Sequence, residues 1–556
     1  MTDNNISIDS STRKEIMSTD EQRRLDYLLF QAVLQRPPDY EAALRARNRG
    51  ANVNAEFESE GIYPVDVASV NNNQELMRFL INNGANPNQR AFDGMSPLHR
   101  AVILGNSEMV QLLLEHGKAD ADLPTAREGQ ESLTPLQMVV AQNGRVPIAR
   151  LLVEYGADVH ARRLNGRTLL HLVESVDMLD FLLNVGLKVD ETRDNGCTAL
   201  HHACVSGNLP IVQRLVKAGG DPNVLSQSLF SPLHYACHEG HLDIVKWLIS
   251  HGGGNPYARG DHGCVSLHVA CMTKQQHVAC WLMDECNMPP SLTNRKGYDA
   301  LHYACKQSPE NQDAIAIVKE LLRRDPTLGK GDAYSVPSAL HFASEWSPAL
   351  CRLLVNDYGF DLMARSMLGS VPLSHATAVG TVKTIVCLVE LMKEKELDLN
   401  VGDVRGLTSL HEAILGGYLD KVHALLDCGL DANAVSQCGE TPLHAASLTS
   451  GHVDDGPKVD QKKKALDNER QQSEILQAVI DRGAYPLRLD DAKMYPFMYS
   501  AKKSNVTKTF LLLRAAASQG FFGNPATDSI AQKRALEQEQ KDLNGTKYKR
   551  RRLNER

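Results

Sequence analysis

Hydrophobic and polar positions repeat with a fixed period in the middle of the chain. The segment ALHHAC at 199–204 returns as PLHYAC at 232–237, which is 33 residues later. The apolar positions of PIVQRLV at 210–216 return in DIVKWLI at 243–249, at the same distance. A period of about 20 to 50 residues indicates a stack of supersecondary units, so the sequence predicts a repeat protein.

Each period contains two short predicted helices. The first has small residues where two backbones must approach closely, and Gly207 or Gly240 ends it. The second has apolar residues at i, i+1, i+4 and i+5, which predicts one buried face, and Gly219 or Gly252 closes it. Neither helix is long enough to be stable alone, and one pair cannot bury both of its sides. We therefore expect each unit to fold only by stacking on its copies.

Three segments carry a resemblance to a known family. They are SPLHYA at 231–236, GHLDIVKWLI at 240–249 and GADVHA at 156–161, and similar segments cover most of the chain. The sequence closely resembles the ankyrin-repeat family. The resemblance implies an all-α solenoid, a stack of helix-turn-helix units with β-hairpin-like fingers along one edge.

The repeats divide the chain into three parts. We expect a disordered N-terminus at 1–24, an array of twelve to fourteen repeats at 25–520, and a polar tail at 521–556 with a basic C-terminal run. The fifth repeat is shortened, with almost no loop between its helices. A segment at 449–471 is rich in Asp, Gly, Lys and Gln, which predicts a mobile insertion inside a repeat.

Composition restricts the class of protein. Of the 556 residues, 42% are apolar but only 5% are aromatic, which suits helices packed through Leu, Val, Ile and Ala. The net charge of −7 is too mild to indicate a nucleic-acid partner. We expect no secretory signal, because the N-terminus is polar, and no membrane span or membrane partner, because the apolar runs are short. Twelve cysteines then favour the reducing cytosol or nucleus, and we expect the isolated chain to be monomeric.

Histidines and cysteines also follow the repeat, which argues against a metal site. Nine histidines share one template position: His99, His171, His201, His234, His268, His302, His341, His411 and His444. Stacked layers lie about 8–10 Å apart, whereas zinc needs ligands at about 2.0–2.3 Å, so we expect these rings to hydrogen-bond to turn backbone. Four cysteines repeat in the same way, at Cys204, Cys237, Cys271 and Cys305. We predict small core residues there, with no disulfide, no metal and no cofactor.

Nothing in the sequence indicates catalysis. The patterns GxxxxGK[ST], GxSxG and HExxH are absent, as is a kinase-like HRD with DFG. One-dimensional stacking spreads side chains along a surface, whereas catalysis needs groups that converge in a pocket. We therefore predict no catalytic residues.

The resemblance implies where partners bind. In ankyrin repeats the two positions after the LHxAx core face a concave groove, and positions beside the finger glycine line its edge. Core packing does not dictate these positions. The candidates are Ile103, Leu104, His238, Glu239, Met272, Lys306, Glu345, Trp346 and Leu415 in the groove, and Met95, Phe230, Asp261, His262 and Tyr298 on the fingers. Trp247 and Trp281 lie in second helices and are expected to be core residues.

The resemblance also implies a modification. Asparagines close the loops at Asn54, Asn88, Asn223 and Asn433. Such side chains commonly satisfy loop backbone groups. In the family, such an asparagine can also be hydroxylated, so these are candidate hydroxylation sites.

The most direct functional hypothesis is a non-enzymatic scaffold or adaptor that binds partner proteins along the groove. One alternative is a substrate-receptor adaptor for a ubiquitin ligase, although the Leu/Pro/Cys-rich pattern of a ligase-recruiting box is not found after Ala517. Another is a nuclear or chromatin-associated regulator that uses the basic tail. Direct nucleic-acid binding has little support, because no aromatic platform stands beside the basic run.

The basic run predicts nuclear import. Residues 531–556 contain nine Lys or Arg against four Asp or Glu, and the run comprises Lys547, Lys549, Arg550, Arg551 and Arg552. Deleting 547–552 should shift a fluorescently tagged protein from the nucleus towards the cytoplasm. An unchanged distribution would leave only a solubilising role for the tail.

Overall fold

The structure is a computed structural model that describes residues 19–57, 61–126, 131–142, 145–306, 312–331, 336–448, 458–503 and 505–518. The chain divides into two compact units, Met1–Asp261 and His262–Arg556. Each unit is a stack of helix pairs, and in the described residues the only extended pairing is two isolated bridges, Phe57 with Ile62 and Thr192 with Thr198. The all-α repeat architecture expected from the sequence is therefore confirmed.

The described part of the first unit contains thirteen α-helices in seven layers. In chain order they are α1 (Thr19–Leu34), α2 (Tyr40–Asn48), α3 (Pro64–Val70), α4 (Gln74–Asn82), α5 (Pro97–Leu104), α6 (Ser107–Glu115), α7 (Pro135–Val140), α8 (Val146–Glu154), α9 (Val176–Asn184), α10 (Ala199–Ser206), α11 (Leu209–Lys217), α12 (Pro232–Glu239) and α13 (Leu242–Ser250). In the fifth layer the first helix is reduced to a 3₁₀ turn, Leu169–Leu172. The expected shortening of the fifth repeat is confirmed.

The described part of the second unit contains fourteen α-helices, also in seven layers. They are α14 (Ser266–Met272), α15 (Gln276–Asp284), α16 (Ala300–Cys305), α17 (Gln312–Arg324), α18 (Ala339–Trp346), α19 (Pro348–Arg352), α20 (Pro372–Val379), α21 (Val382–Glu394), α22 (Ser409–Leu415), α23 (Leu419–Asp427), α24 (Pro442–Leu448), α25 (Lys458–Asp481), α26 (Pro496–Lys502) and α27 (Val506–Ser518). One turn of π-helix, Leu353–Asp357, continues α19.

Local sequence sets the helix ends. Before α12, Ser231 occupies the N-cap position in extended backbone, and Pro232 takes the first helical position, where a missing N–H costs nothing. Gly240 then ends the helix with a φ of 83°, a left-handed conformation that a residue with a Cβ rarely adopts. Before α11, the Asn208 side chain accepts a hydrogen bond from the Ile211 N–H at 3.2 Å. These caps make two helices possible within one short period.

Packing between like helices of successive layers builds the core. First helices contact first helices, as α10 contacts α12, and second helices contact second helices, as α11 contacts α13. Leu200, Cys204 and Leu215 are at most 1% exposed. The four repeating cysteines are likewise buried, and all twelve cysteines are free thiols. Their prediction as small core residues is confirmed.

The repeating histidines join each layer to the next. His201 illustrates the arrangement: its Nδ1 accepts a hydrogen bond from the Thr198 N–H at 3.0 Å, and its Nε2 lies 3.1 Å from the Phe230 carbonyl of the following finger. Because a backbone N–H can only donate, Nδ1 must accept, and Nε2 must carry the proton of the neutral ring. The Nε2-to-carbonyl distance is 2.8–3.2 Å at His99, His171, His201, His268, His302, His341, His411 and His444. The expected bond to turn backbone is confirmed, and its acceptor belongs to the next repeat.

Burial keeps five of these rings neutral. It lowers the pKa to about 4 at His99, His171, His201, His341 and His411. Each of these rings has a folded-state pKa below its unfolded value of about 6.5, so its neutral form favours the folded state. This contribution to the stability of the fold is therefore fully present above about pH 6.5 and is lost as the pH falls towards 4.

The fingers are hairpin-like turns without strands. Within one finger of the first unit, the Arg193 N–H donates to the Cys197 carbonyl at 3.0 Å. Adjacent fingers are joined as well, since the Gln227 N–H donates to the Asn195 carbonyl at 2.9 Å. The same pairing recurs in the second unit, where the Val404 N–H donates to Leu368 at 3.3 Å. The fingers thus form a hydrogen-bonded edge along each unit.

Three expectations differ from the structure. Residues 19–24 lie within α1, whereas 1–18 are outside the described residues. The segment expected as a mobile insertion is helical from Lys458 onwards, because α25 extends the second helix of that layer backwards, and 449–457 lie outside the described residues. Trp247 and Trp281 are only partly buried, since they cover the sides of second helices.

We predict that His201→Ala weakens the layer junction. Removing the ring leaves the buried Thr198 N–H without a partner and takes from the Phe230 carbonyl one of two donors, the other being the Ser226 N–H at 2.9 Å. The free energy of opening should therefore fall by about 1–2 kcal/mol. Hydrogen exchange at 193–217 and 226–230 measures this change. His201→Gln should cost less, because Gln137 occupies the same template position and makes both bonds, from the Thr134 N–H at 3.1 Å and to the Ala161 carbonyl at 3.2 Å.

The exposed His160→Ala is the matched control for loss of an imidazole. Equal exchange in His160→Ala and His201→Ala would contradict the assignment of the buried ring as an inter-repeat bond.

Candidate partner-binding surface

The nine repeating histidines are called here the ladder histidines. Groove positions are the two residues that lie four and five positions after the ladder histidine, or after the residue that replaces it, at the end of each first helix. In the first unit, Leu104 is 51% exposed at the end of α5, and Ile103 is partly buried beside it. His238 and Glu239, at the end of α12, are both exposed, and their Nδ1 and Oε1 atoms lie 2.9 Å apart. The structure therefore presents an apolar residue in one layer and a polar pair in another.

In the second unit the groove positions are more apolar. Trp346 is 45% exposed at the end of α18, and its Nε1 donates a hydrogen bond to Glu345 Oε2 at 3.2 Å. Leu415 is 44% exposed at the end of α22. Met272 and Lys306 are partly buried. An exposed tryptophan held by its own neighbour offers a large, fixed apolar surface.

The sequence prediction omitted three groove-position residues. Val70, Val205 and Val379 are 60%, 37% and 54% exposed. Val379 lies on α20, between the helices that carry Trp346 and Leu415, and α20 packs against both α18 and α22. Applying the same template offset to every repeat would have found all three. The second unit therefore has an apolar row at Trp346, Val379 and Leu415, called here the apolar row.

The finger candidates are less free than expected. Tyr298 stacks on the buried His302 with ring centroids 5.4 Å apart and meets Phe342 edge-on at 5.1 Å. Phe230 similarly lies 5.4 Å from His234. These two aromatic rings therefore pack against ladder histidines. This packing is a structural reason for their presence, which the sequence prediction did not include. Of the other finger candidates, Met95 and Asp261 are partly buried and His262 is exposed.

A surface cavity opens beside the apolar row in the second unit. Its volume is about 610 Å³, and it is lined by the loops that follow α20 and α22 together with α25: Gly380, Thr381, Val382, Gly417, Tyr418, Leu419, Asp420, Lys421, Arg470, Gln471 and Glu474. Lys421 is fixed there, because its Nζ donates to the Thr377 carbonyl at 2.6 Å and lies 4.4 Å from the Tyr418 ring centre. The cavity follows Val379 and Leu415 directly in sequence, so it extends the same face.

One buried acid also belongs to this region. Burial raises the pKa of Glu412 to about 7, Asp403 raises it further, and Arg405 opposes the change. Asp403 is itself paired with Arg405 at 3.0 Å. Oε2 of Glu412 is buried and makes no hydrogen bond to any described residue. Glu412 therefore carries its charge at a free-energy cost.

The four asparagines bond to the next loop. Asn223 Nδ2 donates to the Gly253 carbonyl at 2.9 Å, and its Oδ1 accepts from the Asn255 N–H at 2.9 Å. Asn54 and Asn433 make the corresponding pairs of bonds, and Asn88 accepts from the Asp120 N–H at 2.9 Å. These side chains thus have a structural role between repeats. Their hydroxylation stays a prediction.

The remaining sequence predictions concern chemistry and location. Among the described residues, no group of three or more His, Cys, Asp and Glu is placed to hold a metal ion. No described helix is both long enough and apolar enough to cross a bilayer. The basic run at Lys547, Lys549, Arg550, Arg551 and Arg552 lies outside the described residues.

Comparison with known proteins identifies the family. The family described as ankyrin repeats, in three copies, matches overlapping segments that together span 65–328 and 340–436. These segments make up well over half of the chain. The chain belongs to the ankyrin-repeat family. Ankyrin repeats are protein–protein interaction modules.

The curated relatives are diverse. The nuclear factor NF-kappa-B p105 subunit of Gallus gallus is 35% identical over 166 residues, which are 29% of this chain and 17% of the relative. The B-cell lymphoma 3 protein homolog of Mus musculus is 32% identical over 165 residues, 28% of this chain and 36% of the relative. A human cation channel, transient receptor potential subfamily A member 1, is 27% identical over 173 residues, 31% of this chain and 12% of the relative. The chain thus matches only about a third or less of each relative.

We predict that Glu412→Gln stabilises the second unit at high pH. The folded-state pKa of about 7 lies above the unfolded value, so the protonated form favours folding, and this contribution is lost as the pH rises through 7. Removing the charge should therefore add about 1–2 kcal/mol at pH 8, after allowance for solvent screening.

Urea unfolding at pH 5 and pH 8 measures the effect, and the difference should be much smaller at the lower pH. The exposed Glu394→Gln on α21 is the control for loss of a surface charge. A destabilised Glu412→Gln at pH 8 would mean that the carboxylate has a stabilising partner.

Proposed function

We propose that this protein is a non-enzymatic scaffold or adaptor that binds partner proteins through its groove positions. The observation that supports this most is the apolar row, which puts three large side chains, 44–54% exposed, on three successive first helices. The hydrophobic effect disfavours exposed apolar surface, and core packing does not require it at the end of a helix. A binding role accounts for that surface.

The backbone around the row is suited to recognition. Two of the three helices that carry the row are fixed at their N-termini by a ladder histidine, His341 to the Ser370 carbonyl at 3.0 Å and His411 to the Glu440 carbonyl at 3.2 Å. A binding surface on such helices loses little conformational entropy when a partner docks. Polar groups surround the row, since His375 Nε2 lies 3.2 Å from Glu345 Oε1. An apolar centre with a polar rim is the usual anatomy of a protein interface.

The cellular location is part of this proposal. Twelve free cysteines support a reducing compartment, and the basic run supports access to the nucleus. We propose a protein that acts in the cytoplasm, the nucleus or both.

We predict that Trp346→Ala reduces partner binding with little change in stability. Large aromatic side chains dominate interface energetics, and truncating such a residue often costs about 2 kcal/mol or more in binding. The measurement is quantitative mass spectrometry of partners captured by the full chain, paired with thermal unfolding of each variant. The partners captured by the wild type should fall by about tenfold or more in Trp346→Ala.

Two further variants interpret that result. Phe510→Ala removes an aromatic ring that is 64% exposed on α27, outside the groove positions, and should leave capture unchanged. Trp247→Ala removes a ring that stacks on His251 with centroids 6.4 Å apart, and should lower the melting temperature instead. The proposal would be overturned if Trp346→Ala unfolds the protein without a selective loss of partners.

A further inference from the structure

A basic corner in the first unit has no anionic partner. Arg167 stands directly before the 3₁₀ turn of the fifth repeat, Arg193 lies at the base of the next finger, and His202 is on α10. Both arginines are partly buried. Among the described residues neither guanidinium makes a hydrogen bond or an ion pair, and Arg193 Nε is fully buried without a partner.

The two arginines act on the same ring. Burial lowers the pKa of His202, the positive charges of Arg167 and Arg193 lower it further, and only Glu174 opposes them. Both arginines also lower the pKa of His171. Both guanidinium groups therefore lie within electrostatic range of these imidazoles, and their like charges repel.

Corresponding corners elsewhere contain hydrogen-bonded pairs. In the third repeat, Arg100 Nη2 donates to both carboxylate oxygens of Asp93, at 3.0 and 2.9 Å. In the ninth repeat, Asn294 Nδ2 donates to the Tyr303 hydroxyl at 2.7 Å. The position of Asn294 is that of Arg193, and the position of Tyr303 is that of His202. In the sixth repeat two basic residues replace this hydrogen-bonded pair.

Nearby acids make no direct ion pair with the corner among the described residues, although the charge of Arg167, after the hydrogen bond from Arg163, helps to lower the pKa of Glu131. Glu131 is already engaged, because it accepts hydrogen bonds from Arg163 and from the Leu164 N–H. Glu174 is exposed and makes no ion pair among the described residues. A carboxylate or phosphoryl group would fit the unoccupied guanidinium groups, because their planar donors match the geometry of such oxyanions.

The repeat that carries Arg167 is shortened. Its first helix is only the turn Leu169–Leu172, and the second helix, α9, starts at Val176. The residues that would occupy the groove positions are therefore Ser175 and Val176, the cap and first residue of α9. No side chain comparable to Leu104 or Val205 stands beside the basic corner.

We propose that Arg167, Arg193 and His202 form an anion-recognition subsite for an acidic side chain of a partner polypeptide, either a carboxylate or a phosphorylated residue. This inference rests on the proposed function, because it specifies the chemistry of a partner bound along the groove positions. The partner's oxyanion replaces the missing counter-charge and pairs with guanidinium groups that are already partly desolvated. Charge determines which partner binds at this corner, whereas the apolar groove positions contribute buried apolar area to binding.

Peptide-display selection with the full chain tests the subsite. The wild type should select peptides that have Asp or Glu enriched at one position, and the charge-reversed Arg167→Glu/Arg193→Glu variant should select Lys or Arg there. The control, Arg78→Glu/Lys246→Glu, makes the same charge change at exposed positions of α4 and α13 and should select as the wild type does. If the reversed variant does not fold, Arg167→Gln/Arg193→Gln takes its place and should lose affinity for the acidic peptide by about tenfold or more.

Synthetic peptides then distinguish the source of the anion. Versions of the selected sequence with Asp, phosphoserine or Asn at the enriched position are compared by fluorescence polarisation. Tighter binding of phosphoserine assigns a phosphoryl group, and equal or tighter binding of Asp assigns a carboxylate. Undiminished binding of the Asn version would overturn the subsite.

Other outcomes separate this inference from the proposed function. Peptides selected without an acidic preference, or with a preference that survives charge reversal, would overturn the subsite alone. A wild-type chain that selects no peptide would contradict both. If binding of a short fluorescent DNA duplex, and not of the peptides, depends on Arg167 and Arg193, the corner serves nucleic acid and the inference is wrong.

Discussion

The hydrogen bond from a buried histidine Nε2 to a carbonyl of the next finger is the interaction on which each unit depends. It fixes the N-terminus of one first helix and the base of the following finger with a single ring, as His411 does for Thr408 and Glu440. The Thr408 N–H is buried and would carry a desolvation cost without the ring, whereas the Glu440 carbonyl also accepts the Ser436 N–H at 2.9 Å. A neutral side chain that has one acceptor and one donor at opposite ends makes both bonds. Gln137 meets the same requirement in the fourth repeat, which shows that the bonding pattern matters more than the imidazole.

The groove positions are not needed to hold the layers together and are therefore available for binding. Ladder residues, caps and the core leucines are committed to holding layers together, and the residues at the ends of the first helices are not. Trp346 and Leu415 are exposed there in one unit, and the unpaired Arg167 and Arg193 lie beside the shortened first helix in the other. In both cases the free protein carries a cost that a partner could relieve, apolar exposure in the first and unpaired charge in the second. Because the repeats share one template, residues that depart from it at these positions indicate where a partner binds.

The sequence predicted the repeating features well because they follow from period and cap chemistry. It gave the helix pairs, the shortened fifth repeat, the buried cysteines and the backbone role of the histidines. It could not show that the acceptor of His201 lies in the next repeat, because a one-dimensional pattern does not say which layer supplies a carbonyl. It also misjudged Tyr298, whose ring contacts with His302 and Phe342 arise only when two layers stack. The unpaired state of Arg193 depends on every neighbouring side chain, so only the folded chain reveals it.

The tautomer of the ladder histidines tests the central claim most directly. Side-chain ¹⁵N chemical shifts at pH 7, assigned through single His→Gln variants, report which ring nitrogen carries a proton. The account predicts neutral rings that are protonated at Nε2 and unprotonated at Nδ1 for His99, His171, His201 and His411, whose Nδ1 accepts a backbone N–H. Charged rings, or neutral rings protonated at Nδ1, would contradict the bond from each ring to the next finger.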